Sequence, residues 1–150
     1  MALGYSQIPG VDFTDNFAPV VNDVSLRLVL LMSLINESWD AETVDVETAF
    51  LYGPLDETVY MQIPQGYQEV VDNINGTIWC LELQRCIYRL VQAARQWWTE
   101  LIEKVKELDF ERSYADHCLL FQENENGIVI LFIYVDDILI VGSRRGIEAA

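Results

Sequence analysis

The chain has 150 residues, 51% of them hydrophobic and 11% aromatic, which suits one domain or one piece of a larger one and excludes a disordered tail. With 24 Asp and Glu against 9 Lys and Arg the net charge is −15. Such a balance argues against a self-sufficient nucleic-acid binder, because phosphate contacts need clustered cations. The imbalance is uneven: residues 1–84 hold 13 acids and one base, Arg27, while residues 85–150 hold 11 acids and 8 bases. Any cationic grip therefore lies in the second half. Cys80, Cys86 and Cys118 form no CxxC pair, so neither a disulfide framework nor a zinc site is indicated, and a reducing, intracellular, cytoplasmic setting fits. The opening Met1-Ala2-Leu3-Gly4-Tyr5-Ser6 has no signal-peptide pattern, and no apolar run reaches the ~20 residues of a membrane helix.

In chain order, residues 1–21 read as extended or loop, punctuated by Pro9-Gly10 and Ala18-Pro19. Val24, Leu28, Leu31 and Ile35 recur at helical spacing and predict a helix from Asp23 to Asn36, capped by Asn22 or Asp23. Leu30 and Met32 make it apolar on more than one side, which implies deep packing. Trp39 to Val46 reads as a strand and Glu47 to Gly53 as a turn. Val59 to Ile63 alternates before Pro64, and Ile78 to Leu83 is a second short strand, turned through Asn75-Gly76. Asn75-Gly76-Thr77 is also a formal glycosylation sequon, though a hairpin turn is the simpler reading. The clearest helix is Ala93 to Leu108, with Trp97, Leu101, Val105 and Leu108 on one face and Glu100–Lys104 as an i,i+4 pair on the wet side. Tyr114 to Gln122 follows as a strand, then a polar turn, Glu123 to Gly127. Ile128 to Val135 and Ile138 to Val141 are apolar arms around Asp136-Asp137, the pattern of a β-hairpin with carboxylates at its tip. The mixed order of helices and strands favours α+β.

Two adjacent acids in an apolar stretch must be solvated or neutralised, because burying unpaired carboxylates costs several kcal/mol each, of order. An ordinary exposed turn satisfies that requirement, and so does a cation. A cation needs a further ligand, and Asp45, near the end of the Trp39–Val46 strand, supplies one if that strand neighbours the hairpin. Three carboxylates without histidine or thiolate select hard cations, Mg²⁺ or Mn²⁺ rather than Zn²⁺. Two such ions about 3.5–4 Å apart suit phosphoryl transfer.

Tyr134-Val135-Asp136-Asp137 resembles the YxDD box of reverse transcriptases, and Asp45-Val46-Glu47-Thr48-Ala49-Phe50-Leu51 resembles their first catalytic motif. Phe17-Ala18-Pro19-Val20, Val59-Tyr60-Met61-Gln62, Gly66-Tyr67, Arg95-Gln96-Trp97-Trp98 and Ser113-Tyr114-Ala115-Asp116 extend the likeness, in order, to the Ty/copia class of retrotransposon polyproteins. The resemblance runs from Gly4 to Gly142. It implies a right-hand polymerase palm of antiparallel strands backed by the two helices, with part of the fingers around residues 54–90. It implies a metal-binding triad of Asp45, Asp136 and Asp137, the first two the stronger ligands, completed by the Val46 carbonyl and holding two Mg²⁺ ions. Phe50 falls where the family places the aromatic gate that excludes a ribose 2′-hydroxyl, Gln92 where a glutamine contacts the incoming nucleotide, and Tyr134 near the primer terminus. The implied partners are a primed RNA or DNA template, dNTP and the rest of a polyprotein, within a retrotransposon particle.

The departures bear on activity. The family has a basic strand before the Gly-Tyr-Ser-Gln segment, Gly in place of Arg89, Lys in place of Val91, and Ser-Pro in place of Ala93-Ala94. Residues 1–150 are accordingly expected to form a single fingers-palm fragment without the basic N-terminal strand, thumb or ribonuclease H region. Two functional readings stand. The first is the core of an RNA-directed DNA polymerase, transferring nucleotides from dNTP to a primer 3′-hydroxyl. The second is an inactive, truncated or decayed copy acting at most as a non-catalytic binding module, with weak, salt-sensitive nucleic-acid binding. An unrelated two-metal phosphohydrolase would need further ligands, and His117 is the only histidine.

Overall fold

In the computed structural model, which describes residues 3–67 and 79–149, two antiparallel sheets and three α-helices form a mixed α+β architecture. The main sheet has five strands: β1 (Trp39–Asp45), β4 (Glu111–Arg112), β5 (Leu119–Asn124), β6 (Gly127–Tyr134) and β7 (Asp137–Ser143). Their spatial order is β1-β7-β6-β5-β4. A small ribbon pairs β2 (Tyr60–Gln62) with β3 (Cys80–Glu82). The Asn75-Gly76 turn and its sequon lie outside the described residues. The helices are α1 (Asp23–Ile35), α2 (Ala93–Glu107) and a short α3 (Arg144–Ala149). Among the described residues no helix is long and apolar enough to cross a membrane.

Directly opposed residues of antiparallel strands share a face, and β5, β6 and β7 carry apolar residues on both. The two helices therefore lie on opposite sides. Leu120, Val129, Leu131 and Ile133 pack against Trp97, Leu101, Ile102 and Val105 of α2. Ile130, Phe132 and Val141 pack against Val29 of α1. A third cluster, Val59, Cys86, Leu90 and Ala93, ties the ribbon region to the start of α2.

Several expectations change. Asn22 caps α1 as expected, accepting from the Val24 amide at 2.9 Å, but the helix is not deeply packed. Only Val29 is buried; Val24, Leu28, Leu31, Leu34 and Ile35 are exposed. Periodicity identifies an apolar face without saying what covers it. Leu108 ends α2 exposed rather than on its core face, and Lys104 pairs with Glu107 at 3.0 Å instead of Glu100. The strand expected from Tyr114 begins only at Leu119. Before it, buried Asp116 accepts from the amides of Asn22 and Cys118, both at 2.9 Å, and so holds the chain in a turn. The segment Glu47–Gly53 winds into a short 3-10 helix, Ala49–Tyr52.

Candidate active site

The apolar arms around Asp136 form the hairpin β6–β7, closed by the pair Tyr134–Asp137 with Val135 and Asp136 as its two loop residues. Val135 has φ 57°, the left-handed conformation that two-residue hairpin loops demand and that Gly ordinarily supplies. A β-branched residue there is strained. β1 runs antiparallel to β7 in a register that sets Asp45 directly across from Asp137. The next residue locks the arrangement: the Val46 amide donates to the Asp136 carbonyl at 2.9 Å.

Tyr134, Asp137 and Asp45 thus form one cross-strand row at the end of the sheet, with Asp136 at the loop beside it. Asp45 and Asp137, 92 positions apart in the chain, come within one strand spacing, about 5 Å between opposed Cα atoms. Asp45, Asp137 and Tyr134 are exposed and Asp136 is half-buried. No hydrogen bond or ion pair joins the three carboxylates to another described residue. Among the described residues no three acid, histidine or cysteine side chains already stand as a metal-ligand group. The backbone brings the acids together while the side chains remain in solvent, the arrangement that mutual repulsion favours. Their chemistry suits a hard, oxygen-seeking cation.

Phe50 sits in the 3-10 helix just after β1. Its half-buried ring lies 4.9 Å from that of Tyr88, centroid to centroid, at 58°. Phe50 packs between the α2 core and the ribbon cluster, so the helix that carries it is anchored on both sides. Thr48, which opens that helix, also has a left-handed backbone, φ 57°.

Gln92 is the one sequence-derived candidate that the structure keeps from the surface. It is fully buried, its amide nitrogen donates to the Asp12 carbonyl at 2.9 Å, and its oxygen accepts from Gln7 Nε2 at 2.9 Å. Gln7 Oε1 in turn accepts from the Val91 amide at 2.8 Å. The glutamine therefore clasps residues 7–12 to the start of α2. Arg89, in the place of a family glycine, keeps a glycine-like backbone with φ 76°, and its carbonyl lies so close to Gly4 that a Cβ there would collide with it. Two of the arginines in the second half of the chain are engaged internally. Arg95 pairs with Asp15 at 3.0 Å and Asp56 at 3.7 Å, and Arg85 donates to the Tyr52 carbonyl at 2.6 Å. The Phe17 amide, with Arg95, holds the Asp15 carboxyl below its ordinary range. His117 lines a separate surface groove with Phe17, Pro19 and Tyr114.

Sequence reasoning missed Trp97. This buried α2 residue donates its indole Nε1–H to the Val135 carbonyl at 2.6 Å, directly behind the paired acids. Its spacing marked it as core, and nothing in a sequence reveals where an indole N–H points. The buried thiols of Cys86 and Cys118 are both pushed up to about 11 by desolvation, with Asp56 adding to the first and Asp116 to the second, so neither offers a reactive thiolate.

The family described as reverse transcriptase (RNA-dependent DNA polymerase) matches residues 1–148. The chain is 37% identical over 147 residues to the retrovirus-related Pol polyprotein from transposon TNT 1-94 of Nicotiana tabacum, covering 97% of this chain and 11% of that protein. It is 38% identical over 143 residues to the Pol polyprotein from transposon RE2 of Arabidopsis thaliana, covering 95% and 10%. A 97-residue stretch is 33% identical to the putative transposon Ty5-1 protein of Saccharomyces cerevisiae, 65% of this chain and 30% of that one. The chain spans about a tenth of the length of the two plant polyproteins. No solved structure matches it. The motifs and these relatives agree, and the chain belongs to the reverse transcriptase family, within its Ty/copia-type retrotransposon branch.

Proposed function

We propose that this chain is the fingers-palm portion of an RNA-directed DNA polymerase. In this reading Asp45 and Asp136 hold divalent cations, with Asp137 and the Val46 carbonyl as accessory ligands. The observation that carries the reading is the register of β1 on β7, which sets Asp45 opposite Asp137 and bonds Val46 to Asp136. Bound there, a pair of Mg²⁺ ions would supply the charge that activates a primer 3′-hydroxyl and steadies a departing pyrophosphate. The protein's own part is alignment and electrostatics, with no covalent intermediate.

Asp45, Asp136 and Asp137 would hold the cations at the hairpin tip and neutralise their mutual repulsion in doing so. Phe50, backed by Tyr88, presents a flat ring that leaves room beneath a sugar for hydrogen but not for a hydroxyl. Tyr134, exposed and in the same cross-strand row as Asp45, suits contact with the primer end. Gln92 acts from within, by holding residues 7–12 in place.

Primer extension with Mg²⁺, on this chain and on a longer polyprotein segment containing it, tests the proposal. Asp45→Asn is expected to abolish dNTP incorporation in whichever species is active while leaving the fold intact. Full activity in that variant would end the assignment. The −15 charge and the internal pairing of Arg95 favour a second reading for the chain by itself, a folded module without polymerase activity. Clear incorporation by the 150-residue chain would eliminate it.

A further inference from the structure

We infer that Trp97 is a positioning residue for the paired-aspartate loop, an assignment that rests on the cation-binding reading of Asp45, Asp136 and Asp137. The loop has two residues, and both of its carbonyls are held from outside the hairpin. The Asp136 carbonyl accepts from the Val46 amide at 2.9 Å, and the Val135 carbonyl accepts from Trp97 Nε1 at 2.6 Å. The first bond joins the loop to the strand that carries Asp45. The second joins it to α2.

Three observations say that the second bond sets the loop's conformation. Val135 sits at φ 57°, unfavourable for a β-branched residue, and such conformations persist where the surroundings over-determine them. Trp97 is buried in the cluster that contains Ile133 and Ala49, so its donor is fixed in direction by packing on a rigid element. The same residue also steadies the other arm of the site. The Tyr52 ring lies 6.1 Å from the Trp97 ring, and a Cβ on Gly53 would come within 2.9 Å of the Trp97 backbone nitrogen. Thus Trp97 ties the Val135–Asp136 loop through its N–H and the segment after Asp45 through its ring. Its role is to fix how the carboxylates project.

The test uses Mn²⁺ alone, titrated into the chain and followed by electron paramagnetic resonance, with amide exchange at Asp136 and Asp137 recorded in parallel. Trp97→Phe keeps most of the ring and removes the donor. Site-specific benzothienylalanine at position 97 replaces only the N–H by sulfur, and serves if the phenylalanine variant does not fold. Asp45→Asn reports whether the acids bind the ion. Leu101→Ala, one helical turn along the same buried face, controls for general loss of packing.

Support requires that Asp45→Asn weakens Mn²⁺ binding, that either Trp97 replacement weakens it by roughly tenfold and speeds exchange in the loop, and that Leu101→Ala does neither. Wild-type affinity and exchange in the Trp97 variants, with Asp45→Asn still weakened, would overturn the positioning role and leave the carboxylate site standing. An equal loss in Leu101→Ala would overturn it as well. Wild-type Mn²⁺ affinity in Asp45→Asn would remove the carboxylate site, and the positioning role with it.

Discussion

Asp45 faces Asp137 across β1 and β7, and neither carboxylate has a cationic partner among the described residues. Like charges directly opposed on a sheet destabilise it by roughly 0.2–1 kcal/mol per pair. Coulomb's law gives the same scale: two unit charges about 5 Å apart repel by about 0.8 kcal/mol in water, and Asp136 adds a smaller share. Asp45→Asn is therefore expected to stabilise the cation-free chain by about 0.5–1 kcal/mol, a gain that high salt reduces. Added Mn²⁺ reverses the ranking. Ligand present at ten times its dissociation constant stabilises the wild type by about 1.4 kcal/mol, and the variant, lacking a principal ligand, gains far less. Urea denaturation of both proteins, in EDTA and in Mn²⁺, measures the four values. If Asp45→Asn is less stable in EDTA, the aspartate is structural. If Mn²⁺ raises both midpoints equally, the carboxylates do not share an ion. Either result refutes the reasoning.

Arg89→Gly is expected to raise stability by about 0.5–1 kcal/mol in the same denaturation assay, because relief of a left-handed backbone exceeds the entropy glycine adds to the unfolded chain. Gln92→Ala is expected to cost about 2–3 kcal/mol, since it opens a buried space and leaves Gln7 Nε2 and the Asp12 carbonyl unpartnered. Cys86 and Cys118 bind their protons more tightly folded, near 11, than at the ordinary thiol value of 9.0. Their contribution to stability is therefore complete below pH 9 and is lost as pH rises from about 9 to 11, which a midpoint-against-pH series detects. Fluorescence anisotropy with a primed duplex should show weak binding. With about two phosphate contacts, affinity falls about tenfold between 50 and 200 mM salt.

What the sequence made legible was the arrangement that has a fixed spacing. The apolar arms around Asp136-Asp137 read as a hairpin, and the structure forms one with its two-residue tip shifted by one position, to Val135 and Asp136, so that Asp137 begins the returning strand. Asp45 was readable as the third acid because a strand-terminal carboxylate reaches a neighbouring tip, and β1 is indeed the neighbour of β7. Properties that depend on long-range direction were illegible. Nothing local to Gln92 says that Gln7 and Asp12 fold back to consume its amide. Nothing local to Trp97 says that its N–H faces the loop. For α1 the pattern gave the apolar positions correctly, but burial depends on what lies opposite, and among its described residues only Val29 is buried, with Leu26 half-buried beside it.

The distribution of backbone strain ties these findings together. At the far end of β6 the turn from β5 is relieved by Gly127, with φ 114°, and carries little strain. Asp109, just past α2, takes the left-handed conformation that helix ends commonly require. The end of the sheet that bears the acids is different. There the left-handed positions are filled by Thr48 and Val135, both β-branched, when glycine would be easier at each. Thr48 turns the chain from Asp45 toward Phe50, and Val135 turns it from Tyr134 toward Asp136. Glycine at either place would loosen the segments that carry Asp136 and Phe50. A stiff residue in an unfavourable conformation, with its carbonyl bonded to Trp97 and the next carbonyl bonded to Val46, gives less freedom, and on the proposed reading a cation would meet acids that the backbone has already gathered, with less conformational freedom left to lose on binding.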